Sequence, residues 1–410
     1  MLSPPIVHSM TPATGLWGTQ VTIDGANFGV IQGAGVVAFS SSVGAHGFVL
    51  DTWTDTEIRG RIAFPGTGLM SVHTAAGEGE AGTFTTTQPY TPSAYLDVAQ
   101  LVDGLVLSTG EVAALHHEYE LTNQATLSVF GGSDRGAYPL AQLVDPANPT
   151  SPMIARLVEA DDHTPLVIAT RRDQTVVALG VQGAALVTTA TGLTGNVVAA
   201  ARDATGLYAW IDTGAGIVRA RPGATWTVDR GPIATTYPAL DGAIVADGTL
   251  WIAVSEPGPS NTAYVSLEVL PPTGTLLGPP ERADPVSYPN AISVAHVVLG
   301  ADGIHALVVA TADVSGPLPP RLRTAAVTWS DAPAVTGLVQ YAFVGTTLAA
   351  IVNDAQAKTT SLVPDVAMPS GAQVIPVWPL QSEGFVVDGA GKAHPLITNG
   401  TVTYALTPQP

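Results

Sequence analysis

The sequence predicts an all-β protein. Three observations carry that expectation. The 410 residues include 43 Gly and 33 Pro, which punctuate the chain with turns. Val, Ala and Thr are abundant, and no long stretch repeats its apolar residues every 3.6 positions. Short alternating or apolar runs instead recur between turn signals, which is the pattern of strands.

The first element is the stretch PPIVHSMTPATGLWGTQVTIDGANFG at residues 4–29. Pro12 and Gly15 mark a turn. Gln20 to Asp24 alternates, with Val21 and Ile23 on one side and Thr22 on the other. Gly25 to Gly29 reads as a tight loop around Phe28. Further strands are expected at Val36–Phe39, within 52–61, at Met70–Thr74 and at Thr83–Thr87. Short strands at this spacing fit a small sandwich.

These residues resemble a known family. Pro5, Pro12, Gly15, Gly18-Thr19, Val21-Thr22-Ile23, Gly25 and Asn27-Phe28-Gly29 look like an IPT/TIG domain. Trp53 to Ile58, Val72, Gly77 and Phe84 continue that pattern, so the resemblance covers residues 4–88. It implies an immunoglobulin-like fold in which these positions are turn and core residues. It also implies a spacer, docking or adhesion role, since such modules occur in bacterial surface proteins, some carbohydrate enzymes, virion proteins, receptors and transcription factors, the acidic charge arguing against the last. The domain is expected over 1–88, followed by an extended linker at 89–95 within TTTQPYTPSAY.

Residues 96–410 repeat. Aromatic-Pro pairs stand at Tyr138-Pro139, Tyr237-Pro238, Tyr288-Pro289 and Trp378-Pro379. After three of them the chain reads apolar strand, Asp-Gly turn, apolar strand, as in YPALDGAIVADGTLWIAVS. Related units begin at IARLVEADD, VVAAARDATG and LVQYAFVGT, and LDVAQLVDGLVLSTGEVAALHHEYEL stands at the front. A period of roughly 40–55 residues with hairpin turns predicts a β-propeller of about seven blades. The last unit is short, and a strand near residues 94–107 is expected to complete it and remove the free edges.

Composition narrows the function. The formal charge is −18, with only Lys358 and Lys392 among the lysines. Such a surface repels phosphate backbones and anionic membranes, so neither nucleic acid nor membrane insertion is expected. With no cysteine, disulfides and thiolate metal sites are excluded. The start, MLSPPIVHSM, shows no signal-peptide pattern. The longest uncharged run, Gln174 to Ala201, reads as two buried strands and a turn rather than a membrane span.

The candidate chemistry is sparse. Asp-Gly suits hairpin turns, so Asp247, Asp302 and Asp388 are expected as turn residues. His116 to Glu120 forms the densest polar cluster and is expected on an exposed outer strand. Glu159, Asp161, Asp162 and His163 are expected in a solvated turn. Arg171-Arg172-Asp173, Arg219 and Arg221 are expected in local salt bridges. Trp226 and Tyr264 fall in expected loops and are the candidates for stacking on a sugar, whereas Tyr208, Trp210 and Trp251 read as core. No catalytic residue, metal site or cofactor is assigned. The resulting expectation is a non-enzymatic structural or adhesion component of an extracellular assembly, foremost a virion or phage-tail-like particle. Its partners would be other proteins of the assembly or a cell-surface glycan. A secreted surface protein binding glycan or protein, and a polysaccharide-acting enzyme, are the alternatives.

Overall fold

A computed structural model describes the chain except residues 1–2, 16–18, 42–43, 63–66, 87–89, 97–99, 119–123, 131–135, 141–142, 144–153, 184, 224, 290, 313–315, 325, 327, 337, 355–358, 368–372, 376–380, 399–401 and 409–410. The described residues form strands, turns and loops, and no α-helix occurs among them.

The N-terminal strands are β1 (Ile6–Thr11), β2 (Thr14–Gly15), β3 (Gln20–Ala26), β4 (Val36–Ser41), β5 (Gly44–Trp53), β6 (Glu57–Ile62), β7 (Gly68–Thr74) and β8 (Gly77–Thr86). They pair in the order β1-β3-β6-β5-β4-β7-β8-β2. The long β5 joins two halves: its first residues pair with β4 and its last with β6. Val21, Ile23 and Ile58 from one half share a buried core with Phe39, Met70, Val72 and Phe84 from the other. Alternation placed β3 correctly. The strand β5 was not expected, because GAHGFVLDTW has two glycines and no clean alternation.

Seven antiparallel sheets follow. Blade 1 holds β10 (Gln100–Val106), β11 (Val112–Glu118), β12 (Gln124–Phe130) and β13 (Gly136–Pro139) after β9 (Tyr90–Leu96). Blade 2 holds β14 (Ala155–Glu159), β15 (Pro165–Thr170), β16 (Thr175–Gln182) and β17 (Ala185–Thr194). Blade 3 holds β18 (Asn196–Asp203), β19 (Gly206–Asp212), β20 (Ile217–Arg221) and β21 (Thr227–Ile233). Blade 4 holds β22 (Ala239–Ile244), β23 (Leu250–Pro257), β24 (Thr262–Leu270) and β25 (Glu281–Arg282), with β26 (Tyr288–Pro289) also on β24. Blade 5 holds β27 (Ile292–Leu299), β28 (Ala306–Ala312), β30 (Arg321–Arg323) and β31 (Trp329–Asp331), with β29 (Gly316–Pro317) also on β28. Blade 6 holds β32 (Leu338–Val344), β33 (Thr347–Asp354), β34 (Thr359–Val363) and β35 (Gln373–Ile375). Blade 7 holds β36 (Gln381–Val387), β37 (Ala393–Thr398) and β38 (Val402–Pro408), and β9 completes it.

The sheets close into a ring. Each first strand touches the next, from β10 through β14, β18, β22, β27, β32 and β36, and β36 returns to β10. A buried apolar cluster fills every gap between neighbouring blades. Strand β23 shows why: Leu250, Ile252 and Val254 pack against blade 3, while Trp251 and Ala253 pack against blade 5. With both faces covered, the strand needs apolar residues at every position rather than alternate ones. The last gap is filled by Val386, Leu396 and Ala405 against Val112, Ala114 and Phe130.

Two expectations need correction here. The segment 89–95, read as a linker, carries β9, which pairs with β38 from Tyr90↔Pro408 to Leu96↔Val402. The closing strand is therefore Tyr90–Leu96 rather than one near 94–107, and the ring begins before residue 96. Pro92 does not prevent this, because β9 is the outermost strand of its blade. The pair Trp378-Pro379 lies outside the described residues.

Candidate functional site

The Asp-containing turns come first because they recur. The Oδ1 atoms of Asp162, Asp173, Asp203 and Asp247 accept the backbone N–H two residues on, from Thr164, Thr175, Thr205 and Thr249. Asp302 accepts from Ile304 and His305, and Asp388 from Ala390 and Lys392. Gly248, Gly303 and Gly391 take φ of 88°, 64° and 76° in these turns, a region open to glycine at little cost. The carboxylates hold hairpins, as Asp-Gly chemistry requires.

A second layer lies at the ring's centre. Each first strand ends in a turn opened by Leu107, Ala160, Asp203, Val245, Gly300, Val344 or Asp388. Four residues before each stand Asp103, Arg156, Ala199, Asp241, His296, Gln340 and Gly384. Four of these equivalent positions bond one blade to the next. Asp103 Oδ2 accepts Leu157 N–H at 2.8 Å, Asp241 Oδ2 accepts Val297 N–H at 2.8 Å, and Gln340 Oε1 accepts Phe385 N–H at 2.7 Å. Arg156 donates from Nε to the Val198 carbonyl at 3.1 Å and pairs with Asp241 across blade 3. Alanine at 199 leaves that path open.

The layer is electrostatically coupled. Burial raises the Asp103 carboxyl above its ordinary range, against the opposing pull of Arg156 and of two backbone N–H groups. His296 leaves 60% of its side chain open to water, yet protein surrounds it on most sides, as on a channel wall. Those low-dielectric surroundings and the nearby Arg156 charge hold its imidazole below its ordinary pKa. The polar groups of this layer are largely spent on joining blades.

A cleft of about 240 Å³ opens between blades 3 and 4, at the face that carries the Asp turns. Arg202, Asp203, Tyr208, Arg219, Asp247 and Pro272 line it. Each charged group has a fixed position. Arg219 donates Nε and Nη2 to Asp229 at 2.9 and 3.0 Å. Arg221 bridges Asp229 and Asp203. The guanidinium carbons of Arg219 and Arg221 lie 5.4 and 5.1 Å from the Tyr208 ring centroid. Arg202 reaches Asp161 of blade 2 at 2.8 Å. Arg221 hydrogen bonding, with help from Thr205, holds the Asp203 carboxyl well below the usual carboxylate range. Burial, and then the Asp203 charge, raise the Tyr208 phenol. The cleft therefore presents two carboxylates, two guanidiniums and a protonated phenol, and its formal charges cancel.

The expected site residues fall elsewhere. Trp226 is 7% exposed and packs in the apolar cluster between blades 2 and 3. Its ring has no free face for a sugar, because a loop residue beside β21 is turned inward. Tyr264 lies on strand β24, not in a loop, with the Arg282 guanidinium 3.9 Å above its ring. Arg282 is held there by Glu256. His116 is 1% exposed on β11, the second strand of its blade, rather than on an exposed outer strand. His117 and Glu118 have no described side chains, and Tyr119 and Glu120 lie outside the described residues. Glu159 accepts from Ser108 and contacts His163 in the expected polar turn. Among the described residues no cluster of three or more potential ligands could hold a metal ion. The cleft residues were singled out only in part. Asp203 and Arg202 carry no local motif, and Tyr208 read as core, which its 2% exposure bears out although it also lines the cleft.

Neither a family model nor a curated protein matches the chain. The IPT/TIG resemblance therefore rests on its own residues. Among solved structures, the chain is similar to YCF48 bound to a D1 peptide, at 11% identity and a TM-score of 0.48, over 78% of this chain and 98% of that one. It is similar to the β-propeller domain of the trilobed protease of Pyrococcus furiosus, at 10% identity and a TM-score of 0.41, over 76% and 93%. It is also similar to the gluconolactonase XC5397 of Xanthomonas campestris, at 15% identity and a TM-score of 0.39, over 78% and 99%. Likenesses this distant carry no argument about activity, and the ring stands on its own sheet pairings.

Proposed function

We propose that the chain is a non-enzymatic recognition protein of an extracellular assembly, with an immunoglobulin-like IPT/TIG module for docking and a seven-bladed ring that binds a neutral saccharide unit. The cleft between blades 3 and 4 carries this reading. Its carboxylates accept and its guanidiniums donate hydrogen bonds, and the balanced charge favours a neutral ligand rich in hydroxyls. At about 240 Å³ it lies below the roughly 300–1,000 Å³ of typical small-molecule sites. One sugar ring of a surface glycan suits that size better than a long chain. A virion or phage-tail-like particle is the setting in which such a rigid, acidic recognition protein would serve.

A glycan array tests the reading, followed by titration of any hit. Tyr208→Phe removes one hydroxyl and should weaken binding about tenfold, the worth of roughly one hydrogen bond. Arg219→Met should weaken it further. An array without a hit, or a hit indifferent to both substitutions, would remove the cleft from consideration. Released reducing sugar would establish an enzyme instead.

A further inference from the structure

The polar groups that line the cleft between blades 3 and 4 are not equally available. Asp203 is saturated. Its Oδ1 accepts Thr205 N–H at 2.8 Å, Thr205 Oγ1 at 2.6 Å and Arg221 Nη1 at 3.1 Å, and its Oδ2 accepts Arg221 Nη2. Arg202 is held by Asp161 and the Glu159 carbonyl, and Arg219 by Asp229. Swinging either guanidinium toward a ligand would give up those bonds.

Asp247 and Tyr208 differ. Asp247 Oδ1 accepts Thr249 N–H at 2.8 Å and so holds its turn, but Oδ2 has no partner among the described residues. Tyr208 is 2% exposed, with its ring beside the guanidiniums of Arg219 and Arg221, and its hydroxyl bonds to no described residue. Burial foremost, then the charges of Asp203 and Asp247, keep that phenol protonated against the pull of the two arginines, so it is a donor. One fixed donor and one fixed acceptor, both without partners, thus line the same cleft.

We propose that Asp247 Oδ2 and the Tyr208 phenol together bind one hydroxyl of the ligand, which accepts from the phenol and donates to the carboxylate, and that this pair sets the specificity of the cleft. The proposal rests on the saccharide reading of that cleft. On a neutral sugar only a hydroxyl can do both, since ring and glycosidic oxygens accept without donating. A hydrogen bond to a carboxylate is of the stronger class, and a hydroxyl held between two partners is polarised by both. Asp247 then has one role on each oxygen, the hairpin on Oδ1 and the ligand on Oδ2. Asp162 holds the equivalent turn of blade 2 through Thr164 N–H but lies outside the cleft, so it has the first role alone.

Isothermal titration of the full chain tests the proposal. The probes are methyl glycosides of glucose, galactose and mannose, with the monodeoxy forms of the tightest binder. Asp247→Asn is the main variant, because asparagine still offers an oxygen to Thr249 N–H while its other atom becomes a donor. It should weaken binding by about 10–100-fold, the range for a hydrogen bond to a charged group, at an unchanged melting temperature. Asp162→Asn should bind as wild type does. One monodeoxy form should lose a similar factor, and on that form Asp247→Asn and Tyr208→Phe should cost little more, because the hydroxyl they share is gone. A glycoside weakened by Tyr208→Phe but not by Asp247→Asn would overturn the proposal and leave the cleft as the site. So would losses from Asp247→Asn and Tyr208→Phe that are the same on the parent and on every monodeoxy form. No binding of any of these glycosides would overturn the saccharide reading and the proposal with it.

Discussion

Gly384 shows how narrowly the central layer is built. Its φ is +152°, and a Cβ there would lie 2.2 Å from Gln340 Oε1 and 2.9 Å from Leu101 Cδ2. The Gln340 oxygen is held by Phe385 N–H, so moving it aside would give up that hydrogen bond. Gly384→Ala should therefore cost about 1–3 kcal/mol in chemical denaturation, the usual price of backbone strain in a fixed setting. Asp302 is a second test. Burial works to raise its pKa, but the N–H groups of Ile304 and His305 and the His305 imidazole outweigh that and bring it to about 2. A carboxyl lowered on folding stabilises the protein above its unfolded pKa, near 4, and that contribution is lost as pH falls toward 2. The melting-temperature gap between wild type and Asp302→Asn should shrink between pH 5 and pH 2.5, and a constant gap would contradict the assignment. The Asp turns were legible because their chemistry is local, needing only Asp, its neighbours and a residue that tolerates positive φ. The central layer was not. Asp103, Arg156, Asp241 and His296 come together only through ring closure, and their separations vary with the length of each blade's loops.

Five of the seven innermost strands break register at the same place, for example between Leu101 and Asp103, Ala239 and Asp241, and Ser382 and Gly384. Such bulges re-aim side chains, and here the next residue is the one in the central layer. The repeated period made the blades legible, while the bulges left no mark in composition. The aromatic residues behaved similarly. Trp226 seemed available because Gly223 and Thr225 precede it, but the chain turns its ring into the gap between blades 2 and 3. Trp226→Ala should cost about 3–5 kcal/mol, the range for deleting a large buried aromatic. A loss below 1 kcal/mol in urea denaturation would place the ring outside that core. Strand exposure was the least legible quantity, since a neutral Thr-rich run such as β17 fits a core strand and an outer edge equally well.

Closure decides the behaviour of the whole molecule. A chain starting at residue 89 retains β9 and should keep the ring monodisperse at low concentration. One starting at residue 98 lacks it, frees the edge of β38 and should self-associate, as light scattering would report. A scattering signal equal for the two would show that the ring closes without β9. The same seam also has a mechanical meaning. The N-terminal sheet and the ring are joined in sequence through β9, so a pull between them enters the ring at Tyr90. From there it runs along the ladder that ends at Leu96↔Val402. Tension directed along β9 loads its hydrogen bonds together, in shear, instead of peeling them one by one. A tethered copy would thus bear force first at the joint that closes its ring, and the tether's strength would be set by seven residues of β9 rather than by any one blade.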